Sequence, residues 1–397
     1  MISLATEVQS STPSNSPNRG WVDGPNLIEQ LVSDQKRLQT AAIHFSRWHE
    51  EHDPSDSPEL ESHYQKLIPL AQPKPGEQYA FEVDVEACSA CKACVSACHS
   101  LNGLATHETW RDVGNVFGGE EWDPIVQTIT SACHHCVEPG CLEGCPVLAY
   151  DKDETTGVVK HLDDQCIGCQ YCVLKCPYDV PKYSEDKGIV RKCDMCHERL
   201  GAGEAPACVQ ACPNEAIRIV TVSQNELRIQ TKDVDKSILP STVTSSYTLP
   251  STRYLGALQK QGASAADVNR LRLEPSHFPL VVMLVLTQLA AGCFAADAVS
   301  RFFLERSEVA LLLVGVVAAG LGVNASVLHL GRPMKAWRAF LGWRKSWLSR
   351  EIISFGMLVP MSVGVLALAV LDYFGYEPPV PVGLDNILKG MSMALVF

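Results

Sequence analysis

The sequence predicts an α+β domain rich in cysteine, followed by an all-α segment that crosses a membrane. Sixteen of the seventeen cysteines lie between Cys88 and Cys212, in four groups of four. Short segments in which apolar and polar residues alternate stand beside these groups, as in half-buried strands. After residue 276 come three runs of 19 or 20 residues without a charged side chain, each long enough to cross a bilayer.

The charge balance argues against a nucleic-acid-binding protein. The 33 lysines and arginines are outnumbered by 45 aspartates and glutamates, which gives a formal net charge of -12, and they form no long basic run. The opening residues MISLATEVQSSTPSNSPNRG contain no apolar export signal and no twin-arginine pair. We therefore expect the cysteines to lie in a reducing compartment, where disulfides are rare.

Residues 1–76 are predicted to be a disordered tail and an N-terminal helix. Residues 1 to about 24 are rich in Ser, Pro, Asn and Gly and contain too little apolar surface to fold. Between residues 26 and about 51, apolar residues recur at helical spacing. We interpret this second stretch as a docking or packing helix.

Residues 77–222 are predicted to form the cysteine domain, in which short strands alternate with the cysteine groups. The segment YAFEVDVEAC indicates a strand before the first group. VLAYDKDETTGVVKHLDDQ indicates two strands joined by a turn at Asp153 to Gly157, and AIRIVTV indicates a strand after the last group. Residues 223–276 contain prolines but no cysteine, and are predicted to be a linker or strap.

The cysteine spacing indicates iron–sulfur clusters. The first and third groups share the spacing CxxCxxCxxxC, in which three thiolates hold one cluster and the fourth reaches a different one. The other two groups have longer gaps before their later cysteines. Sixteen thiolates at four per cluster predict four clusters with no ligand left over. The groups are Cys88, Cys91, Cys94 and Cys98; Cys133, Cys136, Cys141 and Cys145; Cys166, Cys169, Cys172 and Cys176; and Cys193, Cys196, Cys208 and Cys212.

Disulfides and zinc are the alternative explanations for these cysteines. Disulfides need an oxidising compartment and give no reason for a proline directly after the last cysteine of a group. Zinc sites take paired CxxC ligands from separate knuckles, so a third cysteine at the same spacing is superfluous for a tetrahedral ion. Clusters therefore explain the spacing best.

The phrases EACSACKACVSAC, QCIGCQYCVLKCPY and RKCDMCHERL resemble the four-cluster ferredoxin-like (tandem dicluster 4Fe–4S) subunits of the molybdopterin oxidoreductase families, which include dimethyl sulfoxide reductase, polysulfide reductase, formate dehydrogenase and respiratory nitrate reductase. The resemblance covers residues 82–220. It implies that the first group pairs with the fourth and the second with the third. The implied ligand sets are site A (Cys88, Cys91, Cys94, Cys212), site B (Cys98, Cys193, Cys196, Cys208), site C (Cys133, Cys136, Cys141, Cys176) and site D (Cys145, Cys166, Cys169, Cys172).

The sequence departs from this family pattern at one position and keeps every cysteine of it. His99 stands where the pattern often has proline, and we expect a looser turn there with the ligand retained. Some relatives replace one cysteine of the set by tryptophan and carry a 3Fe–4S centre, whereas every position here is cysteine. The resemblance therefore implies four 4Fe–4S clusters.

Residues 277–397 are predicted to be a transmembrane anchor. Its three helices are expected at about 278–296, 309–328 and 352–371, with the start of a fourth in KGMSMALVF. The segment HLGRPMKAWRAFLGWRKSWLSREI resembles the anchor subunits of the dimethyl sulfoxide reductase family, which have more helices and exchange electrons with quinol. We therefore expect the anchor to be truncated in this chain.

Three polar residues are candidates for a quinone site. Quinol oxidation releases protons together with electrons, so the site needs polar groups where the bilayer meets water. The candidates are His329, Arg332 and Glu351. The alternative is interfacial anchoring, because arginines often extend to water and His329 would cap its helix end.

The basic residues of the anchor loops predict its orientation. The loop between the second and third apolar runs carries six lysines and arginines, against Arg301 and Arg306 in the loop before it. By the positive-inside rule the six-charge loop is cytoplasmic, and the cluster domain is then on the same side. Relatives of the dimethyl sulfoxide reductase family usually place their cluster subunit outside. We expect a multi-pass plasma (inner) membrane protein with the cluster domain on the cytoplasmic face.

Together, these features predict the electron-transfer and membrane-anchor subunit of a complex with a molybdopterin-containing catalytic subunit. Electrons would pass between the quinone pool and that subunit through the four clusters. Two alternatives remain open: a membrane-tethered polyferredoxin without a quinone site that serves soluble partners, and a non-redox metal-binding anchor protein. The terminal substrate would bind the catalytic partner and not this chain.

Overall fold

The computed structural model describes residues 66–120, 123–232, 237–256, 263–269, 273, 276–304 and 306–376. All of them belong to one compact unit, Ser62–Phe397. The disordered tail and helix predicted within residues 1–51 lie outside the described residues, as does the predicted fourth helix in KGMSMALVF.

A three-stranded sheet joins the two ends of the cysteine domain. Strand β1 (Glu77–Asp84) pairs antiparallel with β8 (Ile217–Ser223) along its whole length and parallel with β9 (Arg253–Leu255). Tyr79 to Phe81 and Val83 are buried, so the strand is covered on both faces. Both long strands form where alternation predicted them. Because β1 precedes the first cysteine group and β8 follows the last one, their pairing brings the two ends of the cysteine domain together.

Three hairpins complete the β structure. The longest consists of β2 (Asp112–Glu120) and β3 (Asp123–Ser131), and β10 (Ser264–Ala265) adds to its β2 edge. The second group is followed by β4 (Tyr150–Lys152) and β5 (Val159–His161), which confirms the predicted strand, turn and strand. The third group is followed by β6 (Lys182–Ser184) and β7 (Ile189–Arg191). The β2–β3 hairpin was not predicted.

Short helices carry the cysteine groups. The first group continues into α1 (Ala93–Asn102), and four helices of only one turn or so carry the others. These are α2 (Gly140–Gly144), α3 (Tyr171–Lys175), α4 (His197–Gly201) and α5 (Ala207–Gln210). Their shortness follows from the cysteine spacing, since the chain must turn around each site within a few residues.

The segment predicted to be a linker, residues 223–276, contains regular structure. Helix α6 (Gln224–Lys232) follows β8 directly, and β9 and β10 both pair with strands of the cysteine domain. Within it, the Ser251 hydroxyl donates a hydrogen bond of 2.7 Å to the carbonyl of His134. The segment is therefore a strap that is hydrogen-bonded to the cysteine domain.

Three long apolar helices form the C-terminal region. They are α7 (Phe278–Leu304), α8 (Val309–Val327) and α9 (Trp347–Tyr373), with mean hydropathies of 2.1, 2.1 and 2.2. Most of their side chains face outwards, as expected for helices surrounded by lipid. Small residues let α7 and α8 approach closely, since a Cβ at Gly315 would lie 2.7 Å from the ring of Phe294. The three predicted spans are confirmed, and α7 and α9 are each longer than predicted.

A buried carboxylate closes the turn between α7 and α8. Asp297 accepts hydrogen bonds from the guanidinium of Arg301 (2.8 Å), the hydroxyl of Ser307 (3.0 Å) and the backbone N–H of Glu308 (2.8 Å). The last contact satisfies a free N–H at the start of α8. Every oxygen of this carboxylate is thus used to hold the turn.

Candidate metal centres and their contact with the membrane helices

The first cysteine of each group stands in the same tight turn. The residue two positions further on has a left-handed backbone, with φ of 60° at Ala90, 41° at His135, 70° at Gly168 and 60° at Met195. In the last three groups its backbone N–H points at the sulfur of that first cysteine, at 3.4 to 3.5 Å. Such hydrogen bonds favour the thiolate form, which is the form that ligates iron.

The last cysteine of three groups is followed by a second recurring turn. Proline comes next, and three residues after the cysteine the backbone is again left-handed, at Leu148, Asp179 and Glu215. In two of these turns a backbone N–H reaches the cysteine sulfur: Ala149 to Cys145 at 3.2 Å, and Ala216 to Cys212 at 3.3 Å.

The first group departs from this pattern, but not as expected. Helix α1 continues through Cys98 and His99 to Asn102, so the protein has no looser turn at this position. A proline could not stand at His99 without breaking the helix, because it lacks the N–H and clashes with the preceding turn. The Asn102 side chain instead donates to the carbonyl of Cys98 at 2.8 Å.

Two of the four implied ligand sets each line a single cavity. The four cysteines of site A surround one, and the four cysteines of site C surround another. In site A, Cys212 joins three cysteines more than a hundred residues earlier in the sequence. The structure thus brings together residues that the spacing alone could not pair.

The cysteines of sites B and D are also neighbours. Burial and then the nearby Cys208 raise the pKa of Cys98 to about 12, and Cys196 adds to this. Burial raises the pKa of Cys169 to about 12, with contributions from Cys145 and Cys166. These raised pKa values favour the protonated thiols of Cys98 and Cys169, so a metal must displace both protons on binding.

The geometry suits clusters better than single ions. Within the described part of the chain, no three His, Cys, Asp or Glu side chains converge closely enough to hold one metal ion. At sites A and C the thiols instead surround cavities, as needed for a cube in which each of four iron corners takes one thiolate. At these two sites the donor set, four sulfurs per cavity, fits a 4Fe–4S cluster.

Two buried basic residues were missed in the sequence. Arg111 and Lys192 are both 2% exposed and lie among the cysteine sites. The only sequence signal was that Lys192 directly precedes Cys193. Burial lowers the pKa of His161, but hydrogen bonds to Asp163 and Cys166 outweigh it and raise the pKa overall. Basic side chains therefore surround the sulfurs more closely than the composition indicated.

The loop between α8 and α9 packs directly on site D. Its backbone donates from Arg332 to the carbonyl of Ile167 (3.0 Å) and from Gly342 to the carbonyl of Pro146 (2.8 Å). The Ser346 hydroxyl donates to the carbonyl of Gly144 at 2.7 Å. Ala339 of this loop is buried in the same apolar core as cysteines of site D. We call residues 328–346 the docking loop.

Pairs of arginine and tryptophan occur along the docking loop and at the start of α9. Three arginines each stack on a neighbouring exposed tryptophan, with 4.6 to 5.7 Å from the guanidinium carbon to the ring centroid. The pairs are Arg338 with Trp337, Arg344 with Trp343, and Arg350 with Trp347. Tryptophan and arginine are typical of the membrane–water boundary.

The three quinone candidates are only partly brought together. His329 is half-buried, and its Nδ1 approaches the carbonyl of Ser326. Burial, with a smaller effect of His277, lowers the pKa of His329. The guanidinium of Arg332 donates to the carbonyl of Asp163 at 2.8 Å, and Glu351 is exposed near the start of α9, after its first turn. No hydrogen bond among the described residues joins these three side chains.

Comparison with known proteins identifies both parts of the chain. A family model described as "4Fe-4S dicluster domain" matches residues 125–222, and one described as "DMSO reductase anchor subunit (DmsC)" matches residues 275–395. These matches confirm the predicted order of an iron–sulfur domain and a helical membrane anchor.

Curated proteins match the iron–sulfur part. The B chain of anaerobic dimethyl sulfoxide reductase from Haemophilus influenzae is 33% identical over 178 residues, which is 42% of this chain and 86% of the relative. The B chain of the same reductase from Escherichia coli is 37% identical over 148 residues, or 35% of this chain and 72% of the relative. The formate dehydrogenase-O iron-sulfur subunit of Escherichia coli is 35% identical over 36% of this chain and 54% of the relative.

Proposed function

Because this protein belongs to the family of anaerobic dimethyl sulfoxide reductase B chains, we propose that it carries electrons between the quinone pool and a molybdopterin-containing catalytic subunit through four 4Fe–4S clusters. It is an iron–sulfur electron-transfer protein of the membrane, with its own helical anchor. Our proposal adds the number of clusters, the exchange of electrons with quinone and the catalytic partner.

One observation carries the proposal: the docking loop contacts site D through the protein backbone. Two residues that directly follow ligands of this site, Pro146 after Cys145 and Ile167 after Cys166, accept hydrogen bonds from the loop through their carbonyl groups. The loop joins two membrane helices, so a group oxidised at the membrane surface has a short route to site D. A tethered domain that served only soluble partners would not need this contact.

The proposed ligand sets form a continuous series from the anchor. Electrostatic effects on thiol pKa values link Cys172 of site D to Cys141 of site C. They link Cys193 of site B to Cys133 of site C, and Cys94 of site A to Cys208 of site B. The series D, C, B, A supports a single wire whose far end, site A, faces the catalytic partner.

At the membrane end, His329 is the candidate base. Its lowered pKa keeps the ring uncharged at neutral pH, so that it can accept a proton from quinol. Arg332 would orient the head group only with its remaining N–H groups, because Nη1 is hydrogen-bonded to Asp163. Glu351 would receive protons at the water boundary. His277, which acts on His329, joins the set of candidates.

We propose that the cluster domain faces the cytoplasm. The docking loop and the start of α9 carry the six basic residues counted above and pack on the cluster domain, so both are on one side of the bilayer. Three of these charges, on Arg332, Lys335 and Arg338, are hydrogen-bonded to carbonyls of Asp163 and Asp164. The other three still favour the cytoplasm by the positive-inside rule. Reporter fusions in the α7–α8 turn, on the opposite side, test this orientation.

The test is an anaerobic purification of the membrane complex. Iron and sulfide are counted per chain, the large subunit that co-purifies is identified, and the clusters are followed while quinol is added. We expect about sixteen irons per chain, a molybdopterin protein and reduction of the clusters by quinol. Fewer than about eight irons would exclude four clusters. Full iron without reduction by quinol would support the tethered polyferredoxin, and zinc without iron the non-redox anchor protein.

A further inference from the structure

Two buried cations lie between the cysteine sites without a carboxylate partner. Arg111 and Lys192 are each 2% exposed. Among the residues that the structure describes, neither is within salt-bridge distance of an Asp or Glu. A charge removed from water is strongly unfavourable unless an opposite charge or hydrogen bonds compensate it. Hydrogen bonds to carbonyl and hydroxyl groups supply part of this compensation, and the rest must come from another group.

Arg111 lies between sites A and B. Its Nη1 donates to the hydroxyl of Thr130 at 3.2 Å, and that hydroxyl lies 3.6 Å from the sulfur of Cys94. The guanidinium carbon stands 4.5 Å from the ring centroid of Phe81. Its Nε and Nη2 are buried and have no hydrogen-bond partner among the described residues. These two groups are free to donate to a cluster.

The charges that act on Arg111 come from the same two sites. Burial alone would lower its pKa, but nearby cysteines outweigh this effect and raise it. Those cysteines are Cys94 of site A and Cys98, Cys193 and Cys208 of site B. The guanidinium is thus in the electrostatic field of both sites.

Lys192 occupies the equivalent position between sites B and C. Its ammonium donates to the carbonyl of Cys193 at 2.8 Å and to the carbonyl of Val159, and it lies 3.6 Å from the sulfur of Cys133. Burial lowers its pKa, and Cys133, Cys141 and Cys193, followed by the more weakly acting Asp194, raise it above the ordinary value. The cation therefore faces sulfurs of both sites.

Site D has no such neighbour within the part of the chain that the structure describes. The charges that act most strongly on its four thiols are those of other cysteines and, at Cys166, of His161. Three sites therefore face a buried permanent cation and the site beside the anchor does not.

A fixed positive charge changes the redox balance of a cluster. A cube held by four thiolates is an anion, and one-electron reduction makes it more negative. The reduced form therefore gains more from a nearby cation than the oxidised form does. Burial strengthens this effect, because the interior screens charges less than water does.

We propose that Arg111 and Lys192 set the reduction potentials of the clusters: Arg111 raises those at sites A and B, and Lys192 raises those at sites B and C. Site D is left without this effect. Electrons that enter at site D then find clusters of more favourable potential further along the wire, with site B facing both cations. This inference depends on the four-cluster assignment proposed above.

The test is a potentiometric titration of the whole membrane complex, followed by electron paramagnetic resonance. Arg111→Gln should lower the midpoint potentials at sites A and B, and Lys192→Gln those at sites B and C. Each shift should be at least a tenfold change in the reduction equilibrium, about 59 mV for a one-electron couple. The site D potential should not change, and the two shifts at site B should add in the double variant.

A matched control removes a different buried cation together with its counter-charge. Arg191 is ion-paired to Glu108 at 3.1 Å and, more weakly, to the exposed Asp163 at 4.0 Å, and Arg191→Gln with Glu108→Gln leaves the net charge unchanged. All four potentials should stay as in the unaltered protein. Arg111→Lys keeps the positive charge and should also leave the reduction equilibria within about threefold. Equal shifts in the control would assign the effect to packing and overturn the proposal.

Two further measurements keep the proposal testable if Arg111→Gln does not assemble. Thr130→Val removes only the hydroxyl between Arg111 and Cys94, and should produce a smaller fall confined to site A. Lys192→Gln tests the second cation independently. Unchanged potentials in both variants at full iron content, or equal shifts that include site D, would overturn the proposal. Low iron in the unaltered complex would instead contradict the four-cluster function.

Discussion

The two halves of the cysteine domain use the same ligand turns but are supported differently. Sites A and B lie in the half that is closed by α1 and by the β8–β1–β9 sheet, in which β1 and β8 belong to the domain and β9 to the strap. Sites C and D are flanked by two hairpins of three residues per strand, β4–β5 and β6–β7. In this second half the docking loop packs on site D, and Thr248 of the strap lines site C.

This difference separates two requirements of an electron wire. The half distant from the anchor must keep its clusters without help from the membrane, so its support is internal. In the proposed electron route, the half beside the anchor also exchanges electrons with the membrane part, and the docking loop packs on its site D. We therefore expect changes in the first half to affect cluster retention, and changes at the docking loop to affect transfer.

The largest loss of stability is expected when the buried ion pair that joins the two halves is broken. Arg191, at the end of β7, donates to the carboxylate of Glu108 (3.1 Å) and to the carbonyl of Asn102 at the end of α1 (3.1 Å). Glu108→Gln leaves this arginine buried without its counter-charge, which costs about 3–5 kcal/mol. The temperature at which clusters are lost, followed by visible absorbance, should fall accordingly.

The control for this change is an exposed ion pair. Arg228 and Glu138 are paired, but their side chains are 44% and 51% exposed. Glu138→Gln should therefore cost no more than about 1 kcal/mol. Equal effects of the two substitutions would show that the two halves do not depend on the buried pair.

The second-largest loss of stability is expected in the first cysteine group, which is the one without a proline after its last cysteine. His99→Pro places proline inside α1, which removes a helical hydrogen bond and costs about 3 kcal/mol or more. Site B, which takes Cys98, should lose its cluster signal first on heating. The matched change in the other half, Pro177→His, alters a turn and should cost only about 0.4–1 kcal/mol. A smaller loss in His99→Pro than in Pro177→His would contradict the distinction between helix and turn.

A third substitution separates cluster retention from transfer. A Cβ at Gly342 would lie 2.5 Å from the carbonyl oxygen of Pro146 and 2.9 Å from that of Cys145. Gly342→Ala should therefore push the docking loop off site D, at about 1–3 kcal/mol. Reduction of the clusters by quinol should slow, whereas reduction by dithionite and the iron content should remain.

Gly356→Ala is its control. It adds the same methyl group within α9, at a position where, apart from the chain neighbours and the nearby helix backbone, no atom of the described residues lies within 4 Å of the new Cβ. Quinol-dependent reduction should be unchanged in this variant. Normal reduction by quinol in Gly342→Ala would mean that electrons do not enter through the docking loop.

The sequence predicted those features that depend on local spacing. The cysteine groups fix their own turns within four or five residues, and the membrane spans are continuous apolar runs, so neither needs information from distant residues. Strand β1 also shows its alternation directly. The β2–β3 hairpin was missed because its first strand contains three glycines, at 114, 118 and 119, and it gains support from β10 more than a hundred residues later.

Features that depend on distant partners could not be predicted in this way. A charged residue such as Arg111 is normally at the surface, and its burial makes sense only once four cysteines from distant groups surround it. The docking contacts use carbonyl acceptors, which every residue has, so no side chain marks them. The expected looser turn at His99 was wrong because the helix continues through it. His329, Arg332 and Glu351 remain predictions as a quinone site.

The smallest expected effect concerns the β4–β5 hairpin in the half beside the anchor. The Asp153 carboxylate accepts hydrogen bonds from the backbone N–H groups of Thr156 (2.8 Å) and Thr155 (3.0 Å). These bonds, the one from Thr156 first, hold the pKa of Asp153 below its ordinary value of 3.8. Asp153→Ala should cost about 1 kcal/mol at neutral pH, measured as faster hydrogen exchange in the turn.

The direction of the pKa shift fixes the pH dependence of this contribution. Because the folded-state pKa is lowered, the stabilisation is complete above the unfolded pKa and is lost only as the pH falls through the folded value. The difference in exchange between the unaltered protein and Asp153→Ala should therefore stay constant from about pH 8 to about pH 5. Asp153→Asn, which keeps an acceptor oxygen, should retain most of the protection. If the difference in exchange already narrows near about pH 6, the titrating group is a histidine. The Asp153 carboxylate would then not stabilise the hairpin.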